Sequence, residues 1–327
     1  MSSLRPRRSI LQQQRGMAML VAILLVALGT ILAAAIAYES AMGARRGAAD
    51  LDFDEALLVT EGAEALAAYG LRAVKQADKS GDTYPAQPWA QPVGPIEVVP
   101  GTTLEASIED LQGRFNLNSL VANDGSGKPN VEAVKVFQRL LEILQLEPKW
   151  ADLLVDWIDP GIDPLPDGAE DSAYLSQNPP YLTANKYITS TSEMLALPGF
   201  GHDRFATLAP YVVALPPNIP VNICSAKGPV LDAFLLTRTE FSLDPQGLAK
   251  ARATAPGCFP TTTEYQAAFE SPAAYQAAQS MLSTKSNYFR LSSLVTIGTA
   301  EFNLYSLLYQ DDQVGLVRPI LRSYSAD

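Results

Sequence analysis

The 327-residue chain is short of the side chains on which most reaction chemistry depends. It has one histidine, His202, and two cysteines, Cys224 and Cys258, which form no CxxC pair, so zinc-ligand spacing is missing. GxSxG, HExxH and GxGxxG do not occur. Gly125-Ser126-Gly127-Lys128 is only a fragment of a phosphate loop, because Pro129 follows the lysine and the upstream glycine is lacking. Charged residues make up 18% and the net charge is −11, the opposite of the basic balance selected by nucleic acid or anionic membrane surfaces. These scarcities point away from an enzyme.

Apolar residues, by contrast, reach 47% and include one long uninterrupted run. From Met17 to Ala37, 21 residues carry no charge, which as a helix is about 31 Å, enough to cross a bilayer core. Arg5, Arg7, Arg8 and Arg15 precede the run and should stay in the cytoplasm, sending residues after Tyr38 outward, although Arg45 and Arg46 weaken the bias. A secretory signal peptide cut after Ala35-Ile36-Ala37 is the competing interpretation. Against it, the run is longer than a usual signal core, and Leu58, Gly62, Leu66, Tyr69 and Ala73 continue a helical period beyond it. In an oxidising compartment Cys224 and Cys258 would form one disulfide, worth roughly 3–4 kcal/mol for its loop. In a reducing one they would be small buried hydrophobes.

Six carboxylates, Asp156, Asp159, Asp163, Asp167, Glu170 and Asp171, lie within sixteen residues broken by Pro160, Gly161, Pro164, Pro166 and Gly168. The breakers exclude a helix, so the charges are not spread along a solvated helical face. Calcium, a hard cation with six to eight oxygen ligands and a tolerance for irregular loops, suits this composition. A solvated acidic loop is the alternative, and the EF-hand register is absent.

Several motifs in fixed order resemble those of the type II secretion minor pseudopilins of the general secretion pathway protein K family. Arg15-Gly16-Met17 before the apolar run resembles a prepilin-peptidase site. Asp110-Leu111-Gln112-Gly113-Arg114-Phe115-Asn116-Leu117-Asn118 resembles the family's D-x-x-GRFNLN run, and Asp156-Trp157-Ile158-Asp159 and Gly168-Ala169-Glu170-Asp171-Ser172-Ala173-Tyr174 resemble two further blocks. Leu215-Pro216 and Val221-Asn222 extend the match to about residue 235. The resemblance implies cleavage between Gly16 and Met17, methylation of the new N-terminus, and retention of the apolar helix. It implies two calcium ions held by ligands from Asp159, Asp163, Asp167, Glu170 and Asp171, with Asn185 second in rank. Gly161 stands where the family usually has a further aspartate. Val21 becomes the fifth mature residue, where most pilins carry a glutamate that pairs with a neighbouring subunit's amine. A subunit without it fits the filament end.

The expected fold is α+β: a pilin-like long N-terminal helix packed on an antiparallel sheet, with a large all-α domain inserted between strands. Residues 1–16 are read as a cytoplasmic leader, 17–38 as the transmembrane half of the helix, and 39–112 as the first part of the pilin-like module. Residues 113–285 are the insertion and 286–327 the closing strands, Tyr288–Ile297, Ala300–Tyr309 and Val314–Arg322. Expected helices are Met17–Lys75, Val131–Leu144, Lys149–Trp157, Thr191–Leu197, Arg204–Leu208, Pro229–Thr237 and Thr263–Leu282. The resemblance implies a tip subunit in the inner membrane with its C-terminal part in the periplasm. Its expected partners are I- and J-type minor pseudopilins, the prepilin peptidase, the inner-membrane assembly platform and exported proteins. The rival is a membrane-anchored helix-hairpin-helix nucleic-acid-binding protein, suggested by Leu195-Ala196-Leu197-Pro198-Gly199-Phe200-Gly201, beside which His202 is read as a surface residue. It is disfavoured because residues 113–285 hold 18 acidic against 12 basic side chains.

Overall fold

A computed structural model describes residues 11–78, 80–254, 257–313 and 315–324. Arg5, Arg7 and Arg8 of the leader lie outside the described residues. The chain divides into two compact units, one up to Leu58 and one from Val59 to Asp327. The described residues of the first unit belong to the helix α1 (Leu11–Ala77), which continues past Leu58. From Met17 onward α1 is long and apolar enough to cross a membrane, and its apolar window is not buried. Gly16 and Met17 are successive residues of this helix, and Val21 is exposed on it.

The second unit is built on a five-stranded antiparallel sheet. Its first two strands are β1 (Val93–Val99) and β2 (Thr102–Asp110). After the short strand β3 (Phe115–Asn116) come the helices α2 (Val131–Ile143), α3 (Trp150–Ile158), α4 (Asp171–Tyr174) and α5 (Gly201–Leu208). The two-residue strands β4 (Val212–Val213) and β5 (Val221–Asn222) lead to α6 (Gly228–Leu235), α7 (Pro245–Thr254), α8 (Thr262–Ala268) and α9 (Pro272–Ala278). The chain closes with β6 (Leu282–Ser283), β7 (Tyr288–Ile297), β8 (Ala300–Gln310) and β9 (Val317–Ser323). The sheet order is β1-β2-β7-β8-β9. Because Asp110 at the end of β2 pairs with Phe289 of β7, everything from 111 to 287 leaves and re-enters the sheet between two neighbouring strands.

The insertion is helix-rich but not all helix. β3 pairs with β4 and β5 with β6 in short parallel ladders. Its core joins Phe115, Phe137, Leu140, Leu154, Tyr174 and Phe234. The GRFNLN asparagines are staples within it. Asn116 donates to Pro216 O at 2.7 Å and accepts from Leu215 N at 3.0 Å. Asn118 donates to Ile188 O at 2.9 Å and to Leu215 O at 2.8 Å, and accepts from Ile188 N at 2.9 Å. Each satisfies buried backbone that a short ladder leaves over.

Within the second unit, α1 meets the sheet through a face other than the one its apolar spacing suggests. Thr60, Ala63, Glu64, Ala67 and Leu71 are buried, whereas Leu66 and Tyr69 are 54% and 72% exposed. Small residues let the helix approach the strands closely, and the larger apolar side chains form an outward stripe.

Candidate functional site

The acidic segment is positioned by α3 and α4. Asp156 sits in the last turn of α3 and is completely buried. Asp159 ends that helix with extended backbone, its N–H donating to Val155 O at 2.8 Å, and Pro160 cannot continue the ladder. Glu170 is the residue before α4, and Asp171 is the first residue within it. Asp171 Oδ1 accepts Thr183 N at 3.0 Å and Thr183 Oγ1 at 2.7 Å, tying α4 to the following loop. The rings of Trp157, Tyr174 and Tyr181 pack the segment onto the core, with centroids 5.2 and 5.5 Å apart.

The six carboxylates are not equivalent. Asp156, Asp159 and Glu170 are buried, while Asp163 and Asp167 are exposed. Asp156 accepts Leu165 N at 3.1 Å, and Asp159 Oδ1 accepts Gly161 N at 2.6 Å. Glu170 Oε1 is buried with no hydrogen-bond partner. Burial, reinforced by Asp156, Asp159, Asp171 and Asp163, raises the Glu170 carboxyl from 4.5 to about 7. Burial, with Asp159 and Asp152 adding repulsion, raises Asp156 from 3.8 to about 6, although the Leu165 and Ala169 amides oppose it. Asp159 is also raised by burial. Gly168 lies so close to Asp156 that a Cβ there would overlap the carboxylate, and a Cβ on Gly161 would crowd Asp159. The glycines therefore let the loop fold over the acids.

Asp156 is the functional candidate that the sequence places in the acidic run but not among the ligands. It reads as part of a helix, and only tertiary packing reveals that it is the most buried of the six. Asn185 is exposed, with φ +48°, and its N–H donates to Trp157 O at 3.0 Å. Among the described residues, no group of three or more His, Cys, Asp or Glu side chains stands at metal-holding geometry. What the segment offers is hard oxygen donors in excess of their protons and partners, the donor set that suits a divalent cation.

Cys224 follows β5 and is bonded to Cys258, with Cα atoms 4.8 Å apart. Arg252 donates to Phe259 O and Ile223 O, both at 2.9 Å, bracketing the two half-cystines. The glycine turn before α5 is a packing unit. Gly199 and Gly201 take φ of +80° and +76°, and buried Phe200 between them meets Trp150 edge to face at 5.1 Å. His202 is exposed in the first turn of α5, so that helix begins earlier than its apolar spacing suggests.

A long helix with an apolar N-terminal run, its later turns packed on an antiparallel sheet into which a helical region is inserted between neighbouring strands, defines a pilin-like subunit. The family described as "Type II secretion system (T2SS), protein K" matches residues 113–217. Type II secretion system protein K of Klebsiella pneumoniae is 34% identical over 90% of this chain and 92% of its own length. Its counterpart in Pseudomonas aeruginosa is 33% identical over 71% and 69%. The fold matches GspK in the crystal structure of the GspK-GspI-GspJ complex from the enterotoxigenic Escherichia coli type 2 secretion system. The TM-score is 0.73 at 24% identity, across 86% of this chain and all of that one. The chain belongs to the type II secretion system protein K family, whose members are minor pseudopilins.

Proposed function

We propose that this minor pseudopilin ends the pseudopilus, helps to start its assembly for export of folded periplasmic proteins, and carries no enzymatic activity. The observation that carries the proposal is Val21, exposed and apolar at the fifth position after Gly16, where a carboxylate would otherwise await the amine of a subunit above. A buried carboxylate without a partner is costly, so a subunit lacking it is suited to the end. Prepilin peptidase cuts between Gly16 and Met17, the new N-terminus is methylated, and the helix stays in the inner membrane with the rest of the chain in the periplasm. The outward stripe of Leu66 and Tyr69 supports contact with sibling subunits. By analogy with the complex named for GspK, GspI and GspJ, those siblings are the I- and J-type pseudopilins. The inner-membrane assembly platform and the exported proteins complete the partners. Co-extraction followed by native mass spectrometry should find one copy of this chain per complex with both siblings. Several copies, or none of the siblings, would contradict the assignment.

Calcium, in two ions, is the proposed occupant of the acidic segment. Glu170 and Asp159 are the first ligand candidates, Asp163, Asp167 and Asp171 complete the set proposed from sequence, and buried Asp156 joins them. The unpaired Glu170 Oε1 and the raised Asp156 and Glu170 carboxyls support this, since bound cations would supply the missing counter-charge.

A further inference from the structure

Among the described residues, two buried polar atoms of the acidic segment have no hydrogen-bond partner, Glu170 Oε1 and the Tyr174 hydroxyl. Glu170 is 8% exposed and Tyr174 is fully buried. They flank α4, with Glu170 directly before it and Tyr174 as its last residue. Ala173 N donates to Glu170 O and Leu175 N to Asp171 O, both at 2.8 Å, so the chain turns helically here. A spacing of four along such a turn sets the two side chains on one face.

The Tyr174 hydroxyl differs from those of other tyrosines packed in this core. Fully buried Tyr265 donates to Leu231 O at 2.7 Å, and neighbouring Tyr181 donates to Ala196 O at 2.6 Å. A buried phenol ordinarily finds such a partner. Tyr174 is not free to swing toward one, because its ring packs against both Trp157 and Tyr181. Its surroundings are acidic: burial first, then Tyr181, Asp156 and Glu170, raise the hydroxyl above its ordinary value.

We propose that Tyr174 is a positioning residue of the divalent-cation site, its hydroxyl hydrogen-bonding to a calcium-bound water. The role rests on calcium as the occupant of the acidic segment, and adds to the carboxylates a neutral group that charge counting does not reveal. Waters are common among calcium's six to eight oxygen ligands, and a phenol both donates and accepts, so it is equipped to hold one. Outer partners of this kind orient the ligands and strengthen metal binding. The hydroxyl then destabilises the metal-free fold and stabilises the loaded one, a reversal that a purely structural tyrosine would not show.

The test is Tyr174→Phe in the full-length chain in detergent, melted with chelator and titrated with calcium by calorimetry. In chelator the variant should melt at least as high as the wild type, since it loses a buried hydroxyl that has no partner. Its calcium affinity should fall about tenfold. Tyr181→Phe, which loses a paired hydroxyl, should melt lower with chelator and with calcium alike, at unchanged calcium affinity. Equal affinity in Tyr174→Phe and the wild type would overturn the proposal while leaving calcium binding in place, the result expected if the hydroxyl merely holds an ordinary buried water. A lower melting midpoint of Tyr174→Phe in chelator, or an equal affinity loss in Tyr181→Phe, would overturn it as well. A wild-type chain that takes up no calcium would remove the metal and this role together.

Discussion

Glu64 of α1 and Arg322 of β9 form a two-pronged ion pair, with Arg322 Nε donating to Oε1 at 2.8 Å and Nη2 to Oε2 at 2.6 Å. Ser306 Oγ of β8 donates to Oε1 as well. The partners are unequal, since the Glu64 side chain is 5% exposed and that of Arg322 is 42% exposed. Removing Arg322 leaves a buried carboxylate with the Ser306 hydroxyl but without its counter-charge, whereas removing Glu64 frees a guanidinium that reaches water. Arg322→Gln should therefore cost about 3–5 kcal/mol, and Glu64→Gln only about 1–2 kcal/mol. Unfolding of the full-length chain in detergent measures both, and a larger loss for Glu64→Gln would contradict the asymmetry.

The buried acids set a pH dependence. In the metal-free protein Asp156 and Glu170 are raised to about 6 and about 7, above ordinary values of 3.8 and 4.5. The folded state then binds more protons than the unfolded one, so these groups subtract stability as pH rises from about 4 through 7. The loss due to Glu170 should vanish in Glu170→Gln. Calcium should cancel the loss in the wild type, raising the melting midpoint most near neutral pH, and should do little in acid. Magnesium should substitute poorly, because it demands tighter octahedral geometry. Identical pH profiles with calcium and with chelator would remove the metal from the account.

Loss of the Cys224–Cys258 bond should cost roughly 3–4 kcal/mol, from the loop it closes. Cys258→Ser should also speed proteolysis beside residue 258, between α7 and α8, where the disulfide and the Arg252 bond to Phe259 O hold the chain. Unchanged melting and cleavage would mean the bond is not structural.

Processing has a discrete readout. N-terminal sequencing of membrane-extracted protein should start at Met17. A start at Tyr38 would mean that a secretory signal peptidase had acted and that the apolar helix was gone.

Strong local patterns made much of this fold legible. β7 and β8 alternate inside and outside and turn at Gly298, φ +61°, so their extents were readable to within a residue. The third closing strand begins at Val317, three residues later than its apolar spacing suggests, while Val314 lies outside the described residues. α7 escaped because it buries no side chain and so leaves no apolar period to read. The stretch read as one helix from Thr263 to Leu282 breaks after Ala268, and Ser271 caps α9 with Pro272 at its start. Ser271-Pro272 is a local helix-start signal inside the stretch expected to be one helix. The apolar stripe of α1 showed a helix but not its buried side, because alanines and Glu64 face the sheet. The Glu64–Arg322 pair spans 258 residues and comes from topology alone. In the acidic segment the composition was plain, but burial, which separates Asp156, Asp159 and Glu170 from Asp163 and Asp167, depends on tertiary packing.

The most direct measurement of the end position proposed from Val21 is immunogold labelling of this chain on pseudopili sheared from cells. The account predicts a single label at one end of each filament. Labels distributed along the filament would contradict it.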